Sequence, residues 1–564
     1  MAIVPFLSSA HIPAFPDVPP LVLALLGDHL APMMEWFTAR VYGPMLAHCA
    51  DHPLIALKQW YDPAAVVTAC LGFHHAPGTP GRPPDFTIEQ FVRAEFVRAW
   101  AGTCSDRELE QLLSTDFLVR WFVGLPLTQC APDHSTLADF HVYLSDHAPD
   151  AFFLDVLRFL DQVDPEPADQ TPQIVDTFAM ESPVTPTRST AYLLAQLSLR
   201  LIHVWEEEAP AALHCAIPPI DYGPLVFFVR LHTDTDRQHR LHAMASVATW
   251  LIEGCTPHLS ALEDAPRARA QTLLHAMTKV IADELMTDAE GPWVERPAKQ
   301  RGEHRLASAV DLDATFRKHE GSPAVLGTNA VISVTPTRIR AAVALTGSIP
   351  DGEAPSAALQ QQRDADLPLP PQIVMDQAGG WGKTRARVVA VSDGQTEMVA
   401  RIPVSGGRDP NRFSVADFQV DAERTTCTCP GGVVSTKAYR SGNGEGVDFR
   451  FLASQCAGCA EWEGCRDPNA NPKGHRSVFI SDYHPLLRAG ATFNETPLGR
   501  SLLGGRWRVE PVVAWLTRYQ GCRRARRIGT AAAQSQLSQA CAMRNLLMWL
   551  SRIRRGLAPR PPRC

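Results

Sequence analysis

Between Cys427 and Cys465 the chain packs five of its fourteen cysteines into 39 residues. The stretch from Cys429 to Cys456 is rich in Gly and Ser and offers little apolar material for a core. A segment of that kind needs a staple, and a metal supplies folding energy directly. Cys429, Cys456, Cys459 and Cys465 give four thiolates, two of them in a tight Cys-x-x-Cys pair, which suits a closed tetrahedral Zn2+ site. Cys427 is an alternative to Cys429, and His475 to any one of the four. Unliganded thiols are the plain alternative. A redox Cys-x-x-Cys is disfavoured, because no βαβ pattern surrounds it. The opening MAIVPFLSSAHIPAFPDVPP has no basic segment ahead of its apolar stretch, so no signal peptide is expected. No run approaches the ~20 apolar residues of a membrane span. Both point to a reducing cytoplasmic setting with no membrane partner, where clustered cysteines bind metal rather than form disulfides.

The net charge of −7 argues mildly against a nucleic-acid binder. The distribution reverses that. From residue 501 onward there are thirteen arginines, no lysine and one acid, Glu510, so this tail carries about +12 and residues 1–500 about −19. A basic block on an acidic body is the footprint of a surface that meets phosphate. Arg506, Arg508, Arg518, Arg523, Arg524, Arg526 and Arg527 are the candidate DNA contacts. The bland alternative is a solvated basic face or a set of internal ion-pair partners.

At 564 residues, two to four domains are expected. The first 50 residues are Pro-rich, then weakly amphipathic. Residues 85–160 read as helices: Ser105 with Glu108 three residues on is a capping-box pattern, and Leu109, Leu112, Leu113 and Phe117 fall on one face. Thr136 with Asp139 repeats the pattern. Residues 164–173 are a linker by composition, and 189–290 are mostly helical. The β-branched, partly alternating run 324–347 predicts strands. A helix and a Pro-rich loop follow over 354–372, and the chain closes on a helix over 531–555.

Two stretches share one form: PQIVD ending at Asp176 and PQIVMD ending at Asp376. Each is an apolar, strand-like run that delivers a carboxylate at its end, a rigid place for a metal ligand. Phosphoryl transfer by two metal ions needs carboxylates that hold Mg2+ or Mn2+ ~3.5–4 Å apart, and such ions prefer hard oxygen ligands. Glu510, alone among arginines and followed by Pro511 as at a helix start, supplies a third acid. Taken singly, each acid is more often a cap or an ion-pair partner.

The chain resembles bacterial insertion-sequence DDE transposases of the type with a cysteine-rich insertion before the final glutamate. The segment 105–144, from SDRELEQLL to FHVYL, looks like the family's N-terminal helical domain. VDTFAMES and VMDQAGGW look like its two aspartate motifs. CAGCAEWEGC and the run from RWRVEPVVAW to MRNLLMWL look like its C-terminal module. Trp381 stands near the position where the second motif usually has Gly-Tyr, and 200 residues separate Asp176 from Asp376. The resemblance implies an α/β fold: an RNase H-like catalytic core with an N-terminal helical domain over 1–163. The core's first part would span 170–425, with a helical insertion at about 200–300. A zinc-binding insertion over 426–476 and a C-terminal part with the basic tail over 477–564 would complete it. It further implies a triad of Asp176, Asp376 and Glu510 with Mg2+ or Mn2+, cleavage and transfer of transposon-end strands into target DNA, a homodimer in the synaptic complex, and a bacterial, nucleoid-associated location. Two alternatives remain: an inactive or domesticated DNA-binding zinc protein, and a zinc hydrolase. The hydrolase is disfavoured because all-thiolate zinc sites are closed.

Overall fold

Polar caps set the boundaries of the N-terminal helices. The computed structural model describes residues 36, 40 and 42–561, apart from 75–83, 103, 127–128, 188, 217–232, 288–290, 319–322, 404–411, 443, 468, 470 and 472–473. Most of the Pro-rich start therefore lies outside the described residues, as do parts of the helical insertion. The helices run α1 (Pro53–Trp60), α2 (Ala64–Ala69), α3 (Ile88–Ala101), α4 (Asp106–Thr115), α5 (Phe117–Val123), α6 (His134–His147) and α7 (Ala151–Val163). Thr87 and Gln90 form a capping box on α3, and Ser105 and Glu108 form the predicted one on α4. The pattern at Thr136 does not start a helix. α6 already begins at His134, because Asp133 accepts from the Ser135 and Thr136 amides.

β1 (Gln173–Glu181) leads into a helical excursion of α8 (Thr190–Glu208), α9 (Asp234–Cys255) and α10 (Asp264–Glu284). That excursion closes a core of its own around Leu194, Trp205, Leu251 and Met277. The chain then returns to the sheet through β2 (Val325–Val334), β3 (Ile339–Thr346), α11 (Ala354–Asp364), β4 (Gln372–Val374), α12 (Gly382–Ser392) and β5 (Glu397–Val399). The β-branched run is thus the β2–β3 hairpin. The spatial order is β3-β2-β1-β4-β5, and a short strand, Thr315–Arg317, pairs with the start of β2. β2 is antiparallel to β1 and β3, whereas β4 is parallel to β1 and β5. β1 and β4 pair only through Gln173↔Ile373 and Ile174↔Val374. Beyond those residues the two central strands part, and this fork is where the acids lie.

The cysteine-rich segment folds as two small three-stranded sheets: β6 (Gln419–Val420), β7 (Cys427–Thr428) and β8 (Val434–Ser435), then β9 (Ala438–Arg440), β10 (Gly446–Phe451) and β11 (Arg476–Ser481). It does contain a core, of Phe418, Cys427, Phe449, Phe451, Val478 and Ile480. Only Phe449 and Phe451 of this core come from the Gly- and Ser-rich stretch between Cys429 and Cys456; alternation along β10 and β11 gathers them on one face with side chains from outside it. The chain ends in α13 (His484–Glu495), α14 (Pro497–Gly504), α15 (Glu510–Tyr519) and α16 (Thr530–Arg554).

α16 ties the molecule together. Leu546, Trp549 and Ile553 join the core of the N-terminal helices, while Ala533, Leu537, Ala540 and Cys541 pack with Phe178 and Met180 of β1. A helix apolar on several sides is a buried one. The opposite sheet face, with Val175, Val331 and Ile373, is covered by Leu359 of α11 and Val388 of α12. No helix among the described residues is long and apolar enough to cross a membrane.

A buried charge cluster sits where α16 meets α3. Glu95 receives Arg98 Nε at 3.1 Å, His141 Nδ1 at 2.8 Å and Gln539 Nε2 at 3.0 Å. Burial alone would raise its pKa, but Arg98 and His141, with hydrogen bonds from His141 and Gln539, hold it at about 2. A depressed pKa contributes stability above the unfolded value near 4.5 and loses it as pH falls toward 2. Glu95→Ala leaves the buried Arg98 guanidinium and the His141 and Gln539 donors without their shared acceptor, and an expected cost of ~3–5 kcal/mol follows. Denaturant midpoints should show that gap near neutral pH, shrinking as pH drops from about 4.5 to 2.

Candidate active site

Asp176 is the fourth residue of β1, so it does not end its strand as the sequence pattern suggested. The strand continues because Thr177–Glu181 go on pairing with β2 after β4 has peeled away. Alternation puts Ile174, Asp176 and Phe178 on the face that α15 and α16 cover. Asp376 lies two residues beyond β4 and caps the turn Gln377–Gly380, its Oδ1 accepting from the Ala378 amide at 2.9 Å. A side chain at Gly380 would run into the Arg401 carbonyl oxygen, so the glycine lets this turn press against the exit of β5. Glu510 opens α15 with Pro511 beside it, and buried Val509 and Leu516 pin that helix to the sheet.

Electrostatics join the three acids. Burial raises the pKa of Asp176; the Thr177 amide and Arg506 oppose this, and the charges of Asp376 and Asp351 add to it. Arg506 Nη2 stands 3.4 Å from Glu510 Oε1. The Arg506 guanidinium thus acts on both Glu510 and Asp176, and the charges of Asp176 and Asp376 act on each other. Crowded carboxylates of this kind are a donor set for a hard divalent cation. As the side chains stand, no three His, Cys, Asp or Glu groups among the described residues are poised around a single ion. A cavity of about 480 Å³ adjoins the acids, lined by Ile174, Val374, Trp507, Arg508, Pro511 and Arg544.

Sequence reasoning missed a group behind β1. Asp351, just ahead of α11, accepts from Thr177 Oγ1 at 3.0 Å, Asn329 Nδ2 at 2.9 Å and Arg317 Nη2 at 3.1 Å. Its signal was available: it is the first acid after the predicted strands 324–347, at a helix start.

The seven arginines divide. Arg508, Arg518, Arg523 and Arg524 are exposed, although Arg524 Nη2 also reaches the Pro183 carbonyl at 3.2 Å. Arg506 turns to Glu510. Two candidates for DNA contact instead have partners within the protein. Arg526 points inward to the Gly102 carbonyl, where burial and the nearby Arg98 lower its pKa. Arg527 bridges to Asp106 at 3.2 Å, and Asp106 also meets Arg98 at 2.8 Å. These two bind the tail to the end of α3 and the start of α4, the internal alternative that charge counting had left open.

Cys429, Cys456, Cys459 and Cys465 line one small cavity with Phe413, Phe418 and Trp462. A Cβ placed on Gly431 would sit 3.0 Å from Cys459 Sγ and 3.8 Å from Cys429 Sγ, so these two thiols flank the same turn. Burial raises the pKa of Cys456; Cys465, Cys429 and Cys459 add to this and Arg466 opposes it. Cys427 is instead buried in the module's core, and His475 is exposed and does not line the cavity.

Two family models match the chain. Residues 46–142 match Transposase domain (DUF772), and residues 428–548 match Transposase DDE domain. The second match spans Glu510 and the four cysteines; neither spans Asp176 or Asp376. No curated protein and no solved structure matches.

Proposed function

This chain is a DNA transposase of the insertion-sequence DDE type, and we propose that Asp176, Asp376 and Glu510 carry its strand chemistry by holding two divalent metal ions. The observation that carries this reading is that Asp176 and Asp376 follow the last paired residues of β1 and β4, with Arg506 linking Glu510 to Asp176. The family's catalysis depends on divalent metal in general; three carboxylates favour Mg2+ or Mn2+. When bound, such ions activate the attacking oxygen and neutralise charge on the leaving one. Asp176, Asp376 and Glu510 would hold them, Glu510 once released from Arg506. Water would attack the phosphodiester at the element's end, freeing a 3′ hydroxyl that then attacks target DNA. Arg508, Arg518, Arg523 and Arg524 would position phosphates without reading sequence.

The strand order, with only the second strand of the five antiparallel, supports an RNase H-like core: the first acid lies on the central strand, the second just past its parallel neighbour and the third on a covering helix. The domain reading that goes with it is an N-terminal helical domain (1–163), a core in two parts (170–425 and 477–564) and a cysteine module (426–476). Cys429, Cys456, Cys459 and Cys465 would hold a structural Zn2+ there, four thiols on one cavity being a suitable donor set. Bringing two ends together calls for a homodimer.

The test is incubation of the purified protein with DNA bearing its element's ends. Cleavage at the ends is expected with Mg2+ or Mn2+ and none in EDTA. Folded protein that binds this DNA but leaves it intact in both metals would reduce the chain to a DNA-binding protein.

A further inference from the structure

We propose that Asp351 is a positioning residue for Asp176, holding β1 from behind at the fork and strengthening the site's grip on a divalent cation. The inference rests on the metal-holding role of Asp176. Past Ile174 the strand has lost its β4 partner, so its β4-side edge is no longer fixed by ladder hydrogen bonds. Asp176 lies in that freed stretch. What replaces the ladder is a cluster on the opposite face. Thr177 Oγ1 donates to Asp351 Oδ1 and accepts from Arg317 Nη2 at 2.8 Å, and the Thr177 amide in turn donates to Asp176 Oδ1 at 2.9 Å. Asp351 thus acts on the next residue along, through one hydroxyl and one amide.

Two further facts mark the cluster as more than packing. Asn329 is fully buried and gives its Nδ2 to Asp351, while its own Oδ1 has no hydrogen-bond partner among the described residues. An orphaned buried acceptor costs ~1–3 kcal/mol and calls for a reason; orienting the Asp351 carboxylate is one. Asp351 also places a carboxylate behind Asp176, linked to it through Thr177, with Arg317 as its ion-pair partner at 3.1 Å. Groups that orient and charge a metal ligand typically change metal affinity by ~10–100-fold.

The experiment measures Mn2+ binding to the full chain from the EPR signal of the free ion, with thermal melting of every variant. Asp176→Ala should remove the site. Asp351→Asn keeps an acceptor for Thr177, Asn329 and Arg317 but loses the charge; it should weaken Mn2+ binding ~10-fold with little change in melting temperature. Arg317→Gln removes the counter-charge and should bind Mn2+ at least as tightly as wild type, even if it melts earlier. Wild-type affinity in folded Asp351→Asn overturns the proposal. So does weaker binding in Arg317→Gln, which alone decides the matter should Asp351→Asn not fold. If wild type shows no Mn2+ binding sensitive to Asp176→Ala, the metal reading itself falls, and that outcome is distinct from the other two.

Discussion

Asp176→Ala, Asp376→Ala and Glu510→Gln are each expected to lower cleavage of end DNA by ~1000-fold or more while DNA binding stays within a few-fold. Residues that act as a unit lose most of the effect with the first deletion, so the three losses should be similar and far from additive. Binding should survive because the exposed arginines Arg508, Arg518 and Arg523 are unaltered in each variant, and phosphate contacts supply most of the affinity. Asp176→Ala should also spare the fold, since the side chain's own hydrogen bond is to the adjacent Thr177 amide. Labelled end DNA under single-turnover conditions, with a gel shift on the same samples, reads both quantities. A variant that keeps more than about a tenth of wild-type cleavage removes its residue from the triad.

The second large effect is expected in the cysteine module. Freshly purified protein should carry about one equivalent of Zn2+, as a single four-thiolate site requires. Cys456→Ser combined with Cys459→Ser should lose it and open residues 427–476 to protease, with the main sheet intact. The module's six-residue core is small against the apparent ~10–16 kcal/mol that structural zinc contributes in small domains. The main sheet is packed separately by α7, α11, α12, α15 and α16, so damage should stay local. Folded protein with no zinc, and a module as protease-resistant as before in the double variant, would contradict this.

How much could be read from the chain alone follows the range of the interactions. Local signals carried through: the Ser105–Glu108 capping box, the β-branched run that became β2 and β3, and Pro511 at the start of α15. Close competition between neighbours was harder; Asp133 takes the cap that Thr136 seemed to offer, three residues on. Strand ends depend on partners far away in sequence, and so Asp176 fell mid-strand, carried on by pairing with β2 some 150 residues later. Charge counting sees composition but not direction. It grouped Arg526 and Arg527 with Arg523, although the first two are satisfied by Gly102 and Asp106 more than 400 residues upstream. Asp351 shows the same limit: its partners Thr177, Asn329 and Arg317 come from three separate strands, and only the assembled sheet places them together.

The most direct measurement is end cleavage by Asp376→Cys, assayed in Mg2+ and in Mn2+ beside wild type. A thiolate is a poor ligand for hard Mg2+ and a better one for a softer ion. If Asp376 holds the metal, the variant should be inactive in Mg2+ and recover part of its cleavage in Mn2+, whereas wild type works in both. Cleavage by Asp376→Cys at the wild-type level in Mg2+ would show that this carboxylate holds no catalytic ion and would contradict the metal-dependent triad.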